Sequence, residues 1–348
     1  MRPPTPAAVN AASGVAAKAS ASASESVDRT VFHLRPIPPF DLDLTVRVLR
    51  RHPSNAVDCW DGRAYRRVVV AAGQPHHVKV VQVGGPDHPR LRVAVTGPIP
   101  RQAAAEIARD LKRLLGTDCD LTAFYRLAAQ DRRLHALAET FRGVKPPRFL
   151  SLFETLVSAI ACQQVTLALG ILLLNRLAQL YGPVFVGRDS PAWAFPRPED
   201  LSNADPEALR AAGFSRQKAR AIIDLARTVT GRRCDLEGLA ELDDATAVVR
   251  LTALRGIGRW TAEYALLRGM GRTQVFPGDD VGARNGLRQW LGLKEPLDYD
   301  GVCRALKRWQ AYKGLIYFHL LLHRQSRDLR AKPAERNPRD QHSRDGRR

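Results

Sequence analysis

The sequence predicts an α+β domain followed by an all-α body, and three observations lead to this fold class. β-Branched runs separated by Gly/Pro turns occupy the chain from about residue 32 to 116. Beyond that point, apolar residues recur at helical spacing and strand-like texture is lost. Low-complexity polar segments flank both regions, so we expect disordered tails at 1–29 and, strongly basic, at 329–348. The α+β domain is then expected at 30–120 and the helical body at 121–328.

The first domain combines strands with two helices. The segment FDLDLTVRVLRR predicts a short helix beginning near Asp41. The runs AYRRVVVAA, HHVKVVQVGG and RLRVAVTG predict strands of an antiparallel sheet, because β-branched residues favour pleated structure. PRQAAAEIARDLKRLLG is amphipathic, which predicts a helix that covers one face of this sheet.

The second region predicts only helices. LSLFETLVSAIACQQVTLALGILLLNRLAQLYG is long, apolar and helical, and Ser151 followed by Glu154 predicts a capping box at its start. In DPEALRAAGFSRQKARAIIDLARTV we expect a helix that stops at Gly213 and a second helix capped by Ser215. Further helices are predicted in DDATAVVRLTAL, RWTAEYALLRGM, DDVGARNGLRQWLG and YDGVCRALKRWQAYKGLIYFHLLLHR.

The net charge of +19 narrows the class of partner. The segment from Arg324 to the end carries only +5 of it, so most of the charge lies on the part expected to fold. Such a basic folded surface indicates a polyanion, usually a nucleic acid, although a general solubility surplus is the alternative. No apolar stretch approaches the roughly 20 residues that span a bilayer, so no membrane partner is expected.

The cysteines and histidines predict no metal site. No CxxC pair occurs among Cys59, Cys119, Cys162, Cys234 and Cys303, and the nine histidines lack metal-ligand spacing. Scattered thiols are typical of a reducing compartment, so we expect a cytoplasmic protein, associated with the nucleoid if bacterial. The Ala/Ser-rich N-terminus lacks the apolar core of a secretory signal and fits a disordered tail or an organelle transit peptide.

The segment LRGIGRWTAEYALL places Gly-Ile-Gly between two predicted helices. Gly256 permits the positive φ that ends a helix tightly, and Gly258 permits close approach to the start of the next helix. Amide groups at a helix start are unpaired and favour a phosphate oxygen, while Ile257 is expected to turn inward. The pattern therefore predicts a sequence-independent contact with the DNA backbone, with a plain αα-hairpin as the alternative.

The order of these elements resembles a known family. The hairpin is followed by VFPGDDVGARNGL, and PPFDLD and FETLVSAIACQQVT precede it. Over roughly residues 32–325 the chain resembles the helix-hairpin-helix DNA glycosylases of the DNA-3-methyladenine glycosylase II type. The resemblance implies a TATA-binding-protein-like shape for the α+β domain and two helical lobes with a cleft between them. It also implies that the protein binds double-stranded DNA containing a damaged base, and we expect a monomer.

The PGDD loop is where the resemblance implies catalysis. Breaking the bond between a base and deoxyribose builds positive charge on the sugar, which a nearby carboxylate stabilises. The family pattern matches Asp280 to the catalytic position and leaves Asp279 a structural role. Either aspartate could instead cap the helix expected to begin near Val281, and we expect the two roles to be divided between the two residues.

The helix after the hairpin is expected to line the base pocket. Trp260 and Tyr264 are four residues apart, so they share a face, and electron-rich rings attract a cationic alkylated purine. The alternative is that both are core aromatics. Gly282 and Leu321 stand where relatives carry a larger apolar residue and a tryptophan, which predicts a roomier and less aromatic pocket.

A flipped base leaves a gap in the duplex that the family fills with a side chain. Gln164 matches this position and Gln163 its neighbour, with an ordinary solvent-facing pair as the alternative. Arg259 is expected to contact DNA, and phosphate contacts are also expected from FSRQKAR, Arg255, Arg284 and Arg288.

Bifunctional relatives carry a lysine just after the hairpin, where this chain has Trp260. The resemblance therefore implies a monofunctional glycosylase of base excision repair that hydrolyses alkylated purines from duplex DNA and stops at the abasic site. Deaminated or oxidised bases are the alternative substrates, and a non-catalytic lesion-sensing protein is the alternative class. The relatives' iron–sulfur cysteines are missing, so neither that cluster nor zinc is expected; a monovalent cation at the hairpin carbonyls is the one cofactor that family likeness leaves open.

Overall fold

The structure is a computed structural model, which describes residues 29–187 and 190–331. Most of the two predicted tails lies outside these ranges. Ordered structure nevertheless enters both tail ranges, because Arg29 is already in the first strand and the last helix ends at Ala331.

A five-stranded antiparallel sheet forms the N-terminal domain, with the order β1-β5-β4-β3-β2. Its strands are β1 (Arg29–Leu34), β2 (Cys59–Trp60), β3 (Tyr65–Ala71), β4 (Gln74–Val83) and β5 (Arg90–Thr96). Helices α1 (Leu42–Arg50) and α2 (Arg101–Leu115) pack on it. The three central strands and both helices were predicted; the edge strands β1 and β2 were not, because β1 begins at the edge of the expected tail and β2 has only two residues.

The remaining chain is almost entirely helical. Its helices are α3 (Thr122–Ala129), α4 (Arg132–Thr140), α5 (Leu152–Cys162), α6 (Leu167–Tyr181), α7 (Pro198–Leu201), α8 (Pro206–Ala211), α9 (Arg216–Thr230), α10 (Asp244–Thr252), α11 (Arg259–Ala265), α12 (Val281–Leu291), α13 (Tyr299–Ala305) and α14 (Lys313–Ala331). A π-helix spans Leu266–Met270, and short 3₁₀-helices span Glu237–Glu241 and Lys307–Tyr312. The expectation of helices alone was wrong in one place: β6 (Val184–Phe185) and β7 (Ala192–Trp193) pair as a small hairpin.

Local signals set several helix ends. The Asp41 carboxylate accepts a hydrogen bond from the Leu44 amide, which confirms the predicted start of α1. Gly213 adopts a φ of +102° after α8, and Ser215 caps α9, as predicted. The long apolar segment from residue 150 to 182 is not one helix, however, because it breaks after Cys162 and restarts at Leu167 under a Thr166 cap.

The predicted capping box at the start of α5 is only half formed. The Ser151 hydroxyl accepts from the Glu154 amide at 3.0 Å, as expected of an N-cap. The Glu154 carboxylate does not return the bond, because both of its oxygens accept from the Arg67 guanidinium at 2.7 and 2.8 Å. An ion pair with a residue distant in sequence has therefore replaced the second hydrogen bond of the capping box.

Three large hydrophobic clusters make up most of the core of the described residues, and a small fourth cluster surrounds Phe149 and Tyr264. The N-terminal core lies between the sheet and its helices, around Tyr65 and Val93. One helical lobe packs α5, α6, α8, α9 and α11 together, and the other joins α3 and α4 to α12–α14 around Trp309. The predicted class, an antiparallel α+β domain followed by a helical body, is confirmed.

A buried charge cluster joins the sheet to the helical body. Arg67 of β3 donates to Asp58 at 2.7 Å and, on its other side, to Glu154 of α5. All three side chains are almost fully buried, and the Tyr65 hydroxyl donates to the same Asp58 oxygen at 2.7 Å. Because burial of an unpaired charge is costly, each member depends on the others.

Replacing Arg67 with Met should lower the free energy of unfolding by about 3–5 kcal/mol, because two carboxylates would remain buried without their cation. Urea titration followed by circular dichroism measures this loss. Adding Asp58→Asn and Glu154→Gln to Arg67→Met should restore part of it, since the uncompensated charges are then removed. An Arg67→Met variant as stable as wild type would show that the cluster does not hold the domains together.

Candidate active site

A cavity of about 1210 Å³ opens between the two helical lobes and the end of α1. It gathers residues that are far apart in sequence, including nearly all of the predicted site. The predicted residues on its wall are Gln163, Gln164, Gly256, Gly258, Arg259, Trp260, Tyr264, Asp279, Asp280, Gly282 and Leu321. The N-terminal domain also reaches this wall, through Val48 and Arg51.

The hairpin between α10 and α11 has the geometry that its glycines predicted. Gly256 has a φ of +79°, and a Cβ added there would lie 2.8 Å from the Ala221 side chain. Ile257 is 5% exposed and packs into the first lobe. A Cβ on Gly258 would meet no described atom within 4 Å, so the start of α11 is open. The amides of this first turn are therefore accessible to an anion.

The break between α5 and α6 is tied to this hairpin by Gln163. Its amide nitrogen donates to the Gly256 carbonyl and to the Thr261 hydroxyl, each at 2.9 Å. Lys218 of α9 clamps the same loop by donating to the Ala161 and Gln163 carbonyls at 2.9 and 2.7 Å. Gln163 is thus not a solvent-facing side chain, and its amide group is engaged within the protein.

Gln164, by contrast, is exposed at the mouth of the cavity. Its φ of +53° is unusual for a residue other than glycine, since the left-handed region crowds a Cβ. Strain of this kind is often retained at functional positions. The clamped neighbour and the left-handed backbone fix the position of Gln164 at the cavity, and its role as a wedge stays a prediction.

Asp280 is the N-cap of α12, although the cap and the catalytic position were expected to belong to different aspartates. Its Oδ1 caps α12 by accepting from the Ala283 amide at 2.8 Å, while Oδ2 accepts from the Tyr317 hydroxyl at 3.0 Å. The cap expected from Asp279 therefore belongs to Asp280, whose catalytic role stays a prediction. The two oxygens of the Asp280 carboxylate have different partners.

Asp279 has another partner. Its carboxylate pairs with Arg259 at 2.7 Å, and that guanidinium stacks on the Tyr299 ring with 3.8 Å between the guanidinium carbon and the ring centroid. The ion pair links the start of α11 to the PGDD loop. Arg259 remains half exposed, so a contact with DNA stays a prediction.

The buried carboxylate of Glu263 positions the loop that carries Asp280. It accepts from the Gly278 amide at 3.0 Å and from the Tyr299 hydroxyl at 2.6 Å. Burial raises the pKa of Glu263, although these two hydrogen bonds oppose the shift. A single side chain of α11 thereby holds both the loop and the neighbouring α13.

Two aromatic side chains, Trp260 and Tyr264, line the cavity. The Trp260 and Tyr264 ring centroids are 5.5 Å apart with a 30° angle between the rings, and Phe149 lies 6.3 Å from Tyr264. Trp260 is partly exposed, whereas Tyr264 is 5% exposed. The two predicted aromatics do share a face toward the cavity, and Tyr264 is a core residue as well.

The space left by Gly282 is not empty, which corrects the expectation of a roomier pocket at this position. A Cβ added to Gly282 would collide with Nη1 of Arg324 from α14. The guanidinium therefore fills the volume that a larger side chain would need. Leu321 lies one turn earlier on α14 and also lines the cavity.

Sequence reasoning missed five residues of this site: Arg51, Glu263, Arg268, Tyr317 and Arg324. One signal was available for two of them. Tyr317 and Arg324 flank Leu321 at spacings of four and three residues, so all three share one face of α14. Arg51 and Arg268 come from distant segments, and no local pattern marks them.

The described ranges hold neither a metal-ligand cluster nor a membrane-spanning helix. No group of three or more His, Cys, Asp or Glu side chains there is arranged to hold a metal ion. All five cysteines are described, and each is a free thiol. No helix within 29–187 and 190–331 has both the length and the apolar character needed to cross a membrane.

Comparison with known proteins matches both halves of the chain to families. Residues 157–311 match the HhH-GPD superfamily of base excision DNA repair proteins, and residues 31–151 match the AlkA N-terminal domain. DNA-3-methyladenine glycosylase 2 of Escherichia coli is 35% identical over 222 residues, which is 62% of this chain and 71% of that protein. The chain belongs to the HhH-GPD superfamily.

Further relatives agree with this membership. The putative DNA-3-methyladenine glycosylase YfjP of Bacillus subtilis is 28% identical, over 82% of this chain and 96% of that protein. The solved 3-methyladenine DNA-glycosylase of Archaeoglobus fulgidus superposes with a TM-score of 0.73 at 25% identity, covering 85% of this chain and 98% of that one. The family expected from the sequence is thus confirmed.

We expect Gly256 to contribute mainly to folding and Gly258 mainly to DNA binding. Gly256→Ala should cost about 1–2 kcal/mol of unfolding free energy, because alanine tolerates positive φ poorly and would crowd Ala221. Gly258→Ala should leave folding within about 0.5 kcal/mol yet weaken binding to an abasic-site duplex about tenfold, by obstructing the open amides. Urea titration and fluorescence anisotropy on both variants measure this, and equal DNA binding by wild type and Gly258→Ala would contradict the phosphate contact.

Proposed function

We propose that this protein is a monofunctional DNA glycosylase of base excision repair, which hydrolyses the N-glycosidic bond of alkylated purines in duplex DNA. The observation that carries the proposal is the Asp280 carboxylate, held at the cavity between a helix start and the Tyr317 hydroxyl. The names of the relatives support an alkylated base as substrate. The mouth of the cavity, with Gly258 and Gln164, is where the duplex is expected to bind.

The electrostatics of Asp280 suit departure of a base. As the bond breaks, positive charge develops on the sugar, and a fixed carboxylate stabilises that charge without reorganisation. Burial and the neighbouring Asp280 raise the pKa of Tyr317 well above its ordinary value, so the phenol remains neutral and donates a hydrogen bond to the carboxylate. Tyr317 thus orients Asp280 and leaves its negative charge in place.

The proposed reaction stops at the abasic site. A lyase step needs an amine that forms a Schiff base with the sugar. Trp260 stands where bifunctional relatives place that lysine, and the Lys218 ammonium donates to two backbone carbonyls of the Gln163 loop. Water, oriented by the Asp280 carboxylate, is therefore the proposed nucleophile.

Asp280→Asn is the direct test of this function. Asparagine is also a good N-cap, so α12 should remain folded while the charge is lost. Release of methylated purines from alkylated duplex DNA, followed by chromatography, should fall by about 10²–10³ in kcat. Wild type should cut no strand before alkali treatment, and borohydride should trap no covalent adduct.

Asp279→Asn is the matched control, because it removes the charge of the neighbouring carboxylate and with it the ion pair with Arg259. We expect a loss of less than about tenfold, because exposed ion pairs contribute little. A larger loss in Asp279→Asn than in Asp280→Asn would reverse the assignment. A folded wild type that binds DNA but releases no base would reject the proposed activity.

Tyr317→Phe should lower kcat by about tenfold with little change in KM, because Asp280 would lose a charge-assisted hydrogen bond worth roughly 1.5 kcal/mol. Single-turnover base release measures the chemical step. Tyr312→Phe removes a phenol from the same lobe without touching Asp280 and should release bases at the wild-type rate. If both variants matched wild type, orientation by Tyr317 would play no part.

A further inference from the structure

The N-terminal sheet has a second face, opposite to its two helices. Helices α1 and α2 both pack against the side that presents Tyr65 and Val93. Successive side chains of a strand point to opposite sides of a sheet, so the alternate residues lie on the other side, which we call the outer face. The cations on the outer face are Arg29, Arg66, Lys79, Arg90 and Arg92.

The four long strands of this sheet carry positive charge and no negative charge. Six of the residues in β1, β3, β4 and β5 are Arg or Lys, and none is Asp or Glu. Arg67 points inward, where the buried Asp58 and Glu154 neutralise it. The other five cations lie on the outer face. Because protein surfaces ordinarily mix charges of both signs, a face of one sign indicates a partner of the opposite sign.

The register of the strands brings these cations together. Lys79 lies directly opposite Arg66 in the β3–β4 ladder and diagonal to Arg92 across the β4–β5 ladder. Directly opposite residues are about 5 Å apart and diagonal neighbours about 7–8 Å. Arg90 lies two residues from Arg92 on the same side of β5. Like charges at such positions destabilise a sheet, and a bound polyanion would offset that cost.

Most of these cations are available to a ligand. Asp61 pairs with Arg66 at the edge of the sheet. Lys79, Arg90 and Arg92 form no side-chain hydrogen bond or ion pair with any residue that the structure describes. Arg90 and Arg92 are exposed, and Lys79 is partly exposed. Three unneutralised cations thus face solvent on adjacent strands.

The outer face is separate from the cavity but close enough for one duplex to reach both. Helix α6 begins at the cavity wall with Leu167. The strand β6 that follows α6 stacks Phe185 on His77 of β4. A helix of this length spans roughly 22 Å, whereas one turn of duplex DNA is about 34 Å long. The distance from the cavity to this edge of the sheet is therefore within one turn of DNA.

We propose that the outer face is a second DNA-binding surface, on which Lys79, Arg90 and Arg92 contact phosphates of duplex DNA away from the damaged base. Lysine and arginine neutralise phosphates and release the counterions that surround the duplex, which favours binding whatever the base sequence. The inference goes beyond the proposed chemistry, since this contact requires neither a flipped base nor Asp280.

The test compares two triple variants with the same loss of net charge. The sheet variant carries Lys79→Gln, Arg90→Gln and Arg92→Gln. The control variant removes three exposed cations from the helical lobe around Trp309, away from the cavity wall: Arg126→Gln, Arg132→Gln and Lys307→Gln. Fluorescence anisotropy measures the affinity of each protein for a labelled, undamaged duplex of about 30 base pairs, between about 50 and 200 mM salt.

We expect the sheet variant to bind about tenfold more weakly than wild type. The slope of log affinity against log salt concentration should become shallower by about 2–3, because each lost phosphate contact removes about 0.9. The control variant should stay within about twofold of wild type and keep its slope. Arg92→Glu, a single change at an exposed position, is the second test variant and should make the slope shallower by about 1.

Wild-type affinity and slope in both the sheet variant and Arg92→Glu, each folded by thermal melting, overturn the proposal. Equal losses in the sheet and control variants also overturn it, since they indicate an effect of net charge alone. A sheet variant that loses binding to phosphatidylglycerol vesicles but not to DNA would assign the face to a membrane surface instead. Failure of the proposed function is distinguishable, because wild type would then release no base while the salt slope still reported the contact.

Discussion

The buried ion cluster around Arg67 is the constraint on which the rest of the site depends. It joins β3 to α5 through charges that cannot be separated without leaving one of them unpaired in the interior. Because α1 packs on the same sheet, its end is held against the helical body, and Val48 and Arg51 become part of the cavity wall. The N-terminal domain is therefore a structural component of the pocket.

Hydrogen bonds of two further side chains, Glu263 and Gln163, position the loops that line the cleft. Glu263 binds the PGDD loop by accepting a hydrogen bond from the Gly278 amide. Gln163 binds the hairpin by donating a hydrogen bond to the Gly256 carbonyl. Each uses a buried or partly buried side chain to satisfy backbone groups, which are costly to leave unpaired. Loops have little apolar surface of their own. These hydrogen bonds therefore fix Asp280 and the amide groups at the start of α11 on the wall of one cavity.

What could be predicted from the sequence was local. Gly256 needs positive φ, Ile257 is the apolar residue of the hairpin expected to turn inward, and these requirements are visible within a few residues. The failures came where a distant partner competed with a local rule. The Glu154 carboxylate binds Arg67 and does not complete its capping box. Asp280 caps α12 and also accepts a hydrogen bond from Tyr317. Arg324 fills the space over Gly282. Arg67, Tyr317 and Arg324 each lie more than 30 residues from the group they engage, so sequence periodicity carries no information about them.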